Sequence, residues 1–200
     1  MEILYQDKEI VVCVKPVGVS SEDGENALPA LLRAELGGEI YPLHRLDLNV
    51  GGAMVYARTK NAAGRLSKAI QDGVMIKEYR CLVHGTPPES GDLQDLLWKD
   101  SSKNKVFVVK RMRKGVKNAR LEFNRLTARD HSLIHVRLHT GRSHQIRVQF
   151  ASRGFPLVGD HKYGSRDGAT APMLYCCRIT FPHRGETVTF ESYPQWGNAE

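Results

Sequence analysis

One acidic residue stands out in the stretch YPLHRLDLNVGG, which runs from Tyr41 to Gly52. Asp47 comes just after His44 and Arg45 and shortly before a glycine pair, and a strand is predicted directly afterwards, over Ala53–Ala57. A carboxylate beside cations and tightly turning backbone, at the start of a strand, is suited to general acid–base or nucleophilic chemistry. A surface Arg–Asp ion pair is the ordinary alternative, so the rest of the chain has to decide between the two.

The second informative stretch is LHTGRSHQIRVQF, from Leu138 to Phe150. A predicted strand ends here, a glycine turns the chain, and a helix is predicted over Ser143–Ser152. Arg142 lies at the start of that helix, where free backbone N–H groups and the helix dipole already carry positive charge. We therefore expect an anion nearby, which could be a phosphate or the Asp47 carboxylate. A surface helix with polar capping residues is the alternative.

Three histidines recur every four residues, at His131, His135 and His139, and could be taken for metal ligands. The segment is predicted to be a strand, in which residues four apart are separated by roughly 13 Å. That distance is too large for one shared ion. No metal site is expected, and the absence of a glycine-rich phosphate loop argues against a nucleotide cofactor.

The elements that must position these stretches are mostly strands. The predicted strands are Ile3–Tyr5, Glu9–Lys15, Ala53–Ala57, Lys77–His84, Val106–Val109, Ala119–Leu126, Leu133–Leu138, Met173–Ile179 and Thr187–Phe190. The other two predicted helices run from an Asn26 cap to about Leu36, ended by Gly37-Gly38, and over Ala62–Gln71, capped by Thr59-Lys60-Asn61. The apolar stripe of the latter helix is Ala62, Ala63, Leu66, Ala69 and Ile70. In the strand Lys77–His84, Tyr79, Cys81 and Val83 are expected to share one face. Most links between strands resemble hairpins, so we predict one α+β domain over residues 1–200, with a mostly antiparallel or mixed sheet.

Two finer expectations concern the middle of the chain. Thr86–Asp92 holds two prolines and a glycine and is expected to be an exposed turn. Val106–Val109 is expected to pair with Ala119–Leu126 as a hairpin that turns near Gly115. Residues from Tyr193 onward are expected to form a tail.

Positive charge is concentrated in one region. The chain has a formal net charge of +7, and residues 99–120 hold nine Lys or Arg residues but a single acid, Asp100. Five of the nine fall in KRMRKGVK, Lys110–Lys117, which we call the basic loop. A solvated surface loop is the ordinary interpretation. We favour an arm that grips phosphates, because basic side chains also occur in both candidate site stretches.

Composition also bears on the compartment. The four cysteines include an adjacent pair, Cys176 and Cys177, which has poor geometry for a disulfide or a shared metal, so buried reduced thiols are expected. No apolar run is long enough to span a membrane, and the N-terminus lacks the pattern of a signal peptide. A cytoplasmic location is therefore expected, with no membrane partner.

Taken together, these stretches resemble the RluA family of pseudouridine synthases. The matching pieces, in family order, are VVCVKPVGV, HRLDLNVGGAMVYARTK, KEYRCLVHG, RLEFNRL, LHTGRSHQIRVQFASRGFPLVGDHKYG and LYCCRITFPH. They span nearly the whole chain, and HRLD together with TGRxHQIR is highly specific. The resemblance implies an enzyme that isomerises uridine in ribosomal or transfer RNA to pseudouridine, in an RNA-binding cleft, without cofactor or metal. A monomer is expected.

The resemblance also assigns roles to three residues. Asp47 matches the catalytic aspartate, Tyr79 the tyrosine that lies against the target uracil, and Arg142 the arginine that pairs with the aspartate. A guanidinium beside a desolvated carboxylate favours its ionised form, which is the physical reason for that pair. Asp47 could then attack the sugar, attack the base or remove a sugar proton. RNA contacts are expected from nine further residues: His44, Arg45, Lys110, Arg111, Arg113, Lys114, His144, Gln145 and Arg147.

The chain departs from the family pattern in two respects. Where the family usually has Thr-Ser-Gly after HRLDxx, this chain has Val50-Gly51-Gly52, so two hydroxyl groups are missing. The small N-terminal RNA-binding domain of many relatives is also not seen, so RNA binding is expected to rest on the catalytic domain.

Two other functions are weighed against this one. A non-catalytic RNA-binding protein with the same fold would explain the basic charge, and the Val-Gly-Gly change favours it. An enzyme acting on a small nucleotide is disfavoured by the lack of a phosphate loop. The set of Asp47, Tyr79 and Arg142 favours catalysis, because binding alone gains nothing from a buried acid that faces a polyanion.

Overall fold

The computed structural model describes residues 1–197. These residues form two compact units, and each is described by itself. The first unit comprises Met1–Lys77 and Tyr175–Pro194, and the second comprises Glu78–Leu174 with residues 195–197. The prediction of one domain over residues 1–200 stays a prediction, and the end of the predicted tail, residues 198–200, lies outside the described residues.

The first unit is built on a mixed sheet. Its strands are β1 (Ile3–Gln6), β2 (Ile10–Lys15), β3 (Tyr41–Pro42), β4 (Gly51–Ala57), β10 (Leu174–His183) and β11 (Glu186–Glu191). The pairs β1–β2, β2–β4, β3–β4 and β10–β11 are antiparallel, whereas β4 and β10 are parallel. The predicted N-terminal hairpin and the two closing strands are confirmed, with longer closing strands than expected.

Two helices belong to this unit. Helix α2 (Lys60–Gln71) begins at the predicted cap, where the Thr59 hydroxyl accepts a hydrogen bond from the Ala62 N–H. Helix α1 (Leu28–Leu36) ends at Gly37 as predicted, but its N-cap is Ala27, which makes no side-chain capping bond, so the expected Asn26 cap is wrong. The unit's core is apolar and consists of Ile10, Val12, Ala53, Val55, Ala57, Ala62, Leu66, Met75, Ile179 and Phe181.

The second unit contains the remaining strands and the third helix. The strands are β5 (Ile76–His84, from residue 78), β6 (Ser90–Asp100), β7 (Lys105–Val109), β8 (Val116–Ala128) and β9 (His131–Leu138), in the spatial order β5-β9-β8-β6-β7. Helix α3 spans Gln145–Ala151, within the predicted range. Leu97, Val106, Ala119 and Val148 form a core cluster between β6, β7, β8 and α3.

The predicted hairpin of Val106–Val109 with Ala119–Leu126 is wrong. Strand β6 lies between them, pairing with β7 through Leu96–Asp100 and with β8 through Ser90–Trp98. Sequence analysis missed β6 because its residues GDLQDLLWKD mix charges with apolar residues and follow a proline pair. Only part of the predicted turn Thr86–Asp92 is a turn, since Ser90 already belongs to β6. The result is nevertheless the predicted α+β class.

The environment of the cysteines agrees with the sequence. All four cysteines are buried and none forms a disulfide. Burial raises the pKa of the Cys13 thiol to about 12, which keeps it protonated. Within residues 1–197, no helix is long and apolar enough to cross a membrane.

Candidate active site

The loop that carries Asp47 connects β3 to β4 in the first unit. Its backbone is held just before the acid, where the buried Ser21 hydroxyl donates to the Leu46 carbonyl at 3.0 Å and accepts from the Leu46 N–H at 3.2 Å. A tight turn follows, closed by the Val50 N–H donating to the Asp47 carbonyl at 3.0 Å. Asp47 itself is half-buried. The loop therefore presents the carboxylate from a backbone fixed on both sides.

A buried lysine also supports this loop. Lys15, at the end of β2, is fully buried, and its Nζ donates to the carbonyls of Pro16 at 2.8 Å and Leu48 at 3.1 Å. Burial lowers the pKa of Lys15 to about 8, while the negative charge of Asp47 acts in the opposite direction. The ammonium group thus ties the residue after Asp47 to the end of β2.

We predict that Lys15 makes stability depend on pH. Its folded-state pKa of about 8 is below the unmodified value of 10.5, so between these values the unfolded chain holds more protons and stability rises with pH. The comparison is with Lys15→Met, which has no titrating group at this position. The difference in unfolding free energy, parent minus variant, should increase by about 2 kcal/mol between about pH 7.5 and 9.5. Urea denaturation at both pH values measures this, and a difference that does not change with pH would contradict the buried, titrating lysine.

The Val50-Gly51-Gly52 sequence has a packing explanation. Gly51 lies beside Tyr175 of the parallel strand β10, and a Cβ at Gly51 would stand 3.2 Å from the Tyr175 ring and 3.2 Å from the Lys15 carbonyl oxygen. Gly52 has φ +127° and its Cβ would lie 2.4 Å from the Cys176 carbonyl oxygen, so only glycine fits there. The tyrosine ring occupies the space that a serine side chain would need at position 51.

Gly51→Ser is expected to destabilise the parent by about 1–3 kcal/mol because the added side chain overpacks this contact. In a Tyr175→Ala background the same change should cost less, by roughly 1 kcal/mol, since one of the two crowding groups is gone. Thermal or urea denaturation of the parent, the two single variants and the double variant measures this coupling. Gly64→Ser is the matched control, because a Cβ at Gly64 meets nothing within 4 Å. Equal costs in both backgrounds would show that Tyr175 does not limit position 51.

The two cationic candidates beside Asp47 differ in character. Burial, followed by the charge of Lys77, lowers the pKa of His44 to about 3, so this imidazole is neutral. Its Nε2 accepts from the Val55 N–H at 3.3 Å, which places the proton on Nδ1, a buried atom without a hydrogen-bond partner among the described residues. Arg45 is exposed and pairs with Glu22 at 3.3 Å. Of the two, only Arg45 can therefore offer positive charge to RNA, and both RNA contacts stay predictions.

Tyr79 lies on β5 in the second unit. As predicted, it shares one face of the strand with Cys81 and Val83, and all three are buried, with 5% of Tyr79 exposed. A ring held this firmly by a strand can serve as a rigid platform for a base. Its contact with uracil stays a prediction.

The loop that carries Arg142 is also firmly built. The Gln145 side chain is buried, and its Oε1 accepts from the Thr140 hydroxyl at 2.8 Å and from the Arg142 N–H at 3.0 Å, while its Nε2 donates to the Arg120 carbonyl. Arg142 is exposed, and its Nε donates to the Asn118 carbonyl at 2.8 Å. Gln145 thus shapes the loop, and Arg142 is presented from it. The pairing of Arg142 with Asp47 stays a prediction.

The two remaining residues of this stretch have structural partners. Arg147 is buried and makes a two-point ion pair with Asp160, at 2.7 and 2.8 Å. His144 has the left-handed conformation, with φ +50°, and its Nδ1 lies 2.8 Å from the Tyr163 hydroxyl. Burial and the ion pair indicate that Arg147 holds α3 in place, and the RNA contacts of Arg147 and His144 stay predictions.

The basic loop lies between β7 and β8. Its four predicted RNA-binding residues, Lys110, Arg111, Arg113 and Lys114, are all exposed. The Arg113 guanidinium lies over the Trp98 ring, 5.2 Å from its centroid. Exposure of all four cations is what the phosphate-gripping hypothesis requires, although it is equally true of a solvated loop.

Sequence analysis missed three supporting residues. Lys15 closes the apolar run IVVCV, but lysines are almost always exposed, so the sequence predicts only the end of a strand there. Ser21 carries no local pattern, because its partner Leu46 is distant in sequence. Tyr175 lies in a predicted strand, but its contact with Gly51 depends on parallel pairing of strands far apart in the chain.

Comparison with known proteins agrees with this architecture. The family described as RNA pseudouridylate synthase matches residues 9–152. The chain is 33% identical to the dual-specificity RNA pseudouridine synthase RluA of Escherichia coli O157:H7, over 95% of this chain and 91% of the relative. It is 32% identical to the ribosomal large subunit pseudouridine synthase D of Vibrio cholerae, over 96% of this chain and 67% of the relative.

Among solved structures, human RNA pseudouridylate synthase domain containing 1 superposes with a TM-score of 0.84 at 22% identity, covering 99% of this chain and 86% of that one. At this identity the likeness shows the fold alone. Together with the sequence matches, it establishes that the chain belongs to the RNA pseudouridylate synthase family. The chain is thus an isomerase of uridine in RNA, as the resemblance implied.

Proposed function

We propose that this protein converts specific uridines of structured ribosomal or transfer RNA to pseudouridine, with Asp47 as the catalytic carboxylate. The relative from V. cholerae is named for the ribosomal large subunit, which supports ribosomal RNA as a substrate, and the relative from E. coli is named for dual specificity, which is compatible with a second RNA class. A cytoplasmic monomer is part of the proposal. The observation that carries it is the Asp47 loop, a half-buried carboxylate on a backbone held by Ser21 and Lys15.

The proposed reaction needs an ionised carboxylate beside an extruded nucleoside. A uracil stacked in folded RNA must be flipped out, at a cost of a few kcal/mol, which contacts to backbone and base offset. Asp47 then acts on the sugar or the base, the bond from the sugar to nitrogen breaks, and the base is rejoined through carbon 5. Tyr79 holds the base and Arg142 stabilises the ionised acid. The hydrogen on carbon 5 leaves as a proton, and the nitrogen released from the sugar takes one up, so atoms and charge balance without a further reactant.

The departure of the carbon 5 hydrogen provides the test. RNA carrying tritium at carbon 5 of its uracils should release tritium to water when incubated with the protein, and the modified RNA should contain pseudouridine. Ribosomal and transfer RNA from cells lacking the gene are the substrates to compare, since their target positions are unmodified. Release from neither RNA would overturn the proposed reaction and favour a protein that only binds RNA.

For the basic loop, we predict that replacing Arg111, Arg113 and Lys114 by Gln weakens RNA binding and flattens its salt dependence. For every phosphate that the loop no longer neutralises, the slope of log K against log salt should fall by about 0.7 for single strands, or about 2 for three phosphates. Titrations at several salt concentrations measure the slope.

The matched control neutralises three exposed cations of helix α2, Lys60, Arg65 and Lys68, and should leave the slope near the parent value. If the triple variant of the basic loop also keeps the parent slope, the loop does not contact the RNA backbone.

A further inference from the structure

An aromatic pair lies on the sheet face opposite the core cluster of Leu97, Val106, Ala119 and Val148. In β6 and β7 the neighbouring residues Leu97 and Val106 are buried in the core cluster, with 3% and 2% exposed. Because successive strand residues point to opposite faces, Trp98 and Phe107 lie on the other face, where both are partly exposed. They are register partners, and their rings lie 6.2 Å apart with an interplanar angle of 31°.

Cations cover both rings. The Arg113 guanidinium lies 5.2 Å from the Trp98 centroid, and the Lys105 ammonium lies 5.8 Å from the Phe107 centroid. Both cations belong to the region from 99 to 120 that holds nine basic residues and one acid. A surface that combines flat aromatic rings with positive charge is complementary to a nucleotide, which brings a flat base and a phosphate.

The loop that carries Arg142 contacts β8, the strand that pairs with β6. The Arg142 Nε donates to the carbonyl of Asn118, which pairs with Leu96 across the sheet. Trp98 pairs with Val116, which lies two residues before Asn118 on β8. The two positions on β8 are therefore roughly 7 Å apart along the strand. A nucleotide close to the one that Arg142 is proposed to serve could therefore reach the aromatic pair.

We infer that Trp98 and Phe107 form a stacking platform for an unpaired base that flanks the modified uridine, with Arg113 and Lys105 binding its phosphates. This inference rests on the proposed RNA-modifying function and extends it by naming an RNA contact outside the predicted site residues. The platform explains why a sheet places two large aromatic side chains on a face outside the core, which is otherwise unfavourable in water. It predicts a preference for targets in loops rather than in continuous duplex.

Intrinsic fluorescence tests the stacking directly. The chain has two tryptophans, Trp98 and Trp196, so Trp196→Phe leaves only the indole of interest without altering it. A short oligouridylate should quench this protein's emission strongly and in a saturable way, whereas inorganic polyphosphate, which has charge but no bases, should quench it much less. The matched control is Trp98→Phe, which reports from Trp196 and should show no saturable quenching.

Affinity and turnover provide the second measurement. Trp98→Leu should weaken RNA binding about tenfold, as expected when one stacked base is no longer held, while Trp98→Phe should lose much less. The salt slope should stay at the parent value, because no charge is removed. In the tritium assay, Trp98→Leu should raise KM and leave kcat at saturating RNA nearly unchanged.

The outcomes separate this inference from the proposed function. Suppose that the parent releases tritium, but RNA does not change Trp98 emission and Trp98→Leu binds RNA as tightly as the parent. The stacking platform would then be disproved, and the assignment as an enzyme would stand. Quenching by polyphosphate equal to that by oligouridylate would also overturn stacking, since it would indicate movement of Arg113 alone. If the parent releases no tritium from any RNA, the proposed function fails, whatever the fluorescence shows.

Discussion

Asp47→Asn is expected to abolish pseudouridine formation while the protein folds and binds RNA normally. The substitution keeps the size and shape of the side chain but removes the charge and the basicity that each proposed route of the reaction requires. The loop should survive, because Ser21, Lys15 and the Val50 N–H all hold it through hydrogen bonds to main-chain atoms. A loss of at least about 1,000-fold in kcat is expected, as for other essential reacting groups.

Tritium release at saturating RNA measures this effect, and denaturation and RNA titration establish that fold and binding are intact. Glu25→Gln is the matched control, since it removes an exposed carboxylate of the same unit by the same chemical change. It should leave kcat unaltered. Turnover of Asp47→Asn within tenfold of the parent would remove Asp47 from the chemical step and leave the protein's activity to another group.

Arg142→Ala is expected to lower kcat by about 100- to 1,000-fold with little loss of stability. The proposed role is to favour the ionised state of Asp47 in a closed site, and removing one such charged donor has effects of that size in other enzymes. Stability should change little because Arg142 is exposed and its backbone N–H remains held by Gln145 Oε1. The side-chain bond to the Asn118 carbonyl, which the substitution removes, lies at the surface.

Separate measurement of kcat and KM distinguishes this role from simple RNA binding. If Arg142 pairs with the acid, Arg142→Ala lowers kcat, and Arg142→Lys restores part of the activity because it keeps the charge but not the planar fork. Arg137→Ala, on the exposed face of β9, is the control and should retain kcat. A rise in KM with unchanged kcat would show that Arg142 only binds RNA, and the ion-pair hypothesis would be wrong.

Local sequence patterns were sufficient for most secondary structure. The Thr59 cap, the apolar stripe of α2 and the Gly37 stop depend on neighbours a few residues away, so the sequence reports them directly. Alternation likewise predicted the buried face of β5 that includes Tyr79. Strand β6 was missed because its own local preference for a strand is weak, and its pairing with β8, beyond the intervening strand β7, overrides that preference.

The sequence by itself determined the family, the α+β class and the identity of the candidate acid, because HRLD and TGRxHQIR are short patterns that can be read along the chain. Only the tertiary structure decided the surroundings of that acid. These surroundings come from segments far apart in sequence: the buried Lys15, the Ser21 hydroxyl that bonds to the Leu46 main chain, and the Tyr175 ring beside Gly51. Burial, which sets the charge of Lys15 and His44, is likewise a property of the packed chain and not of any local pattern.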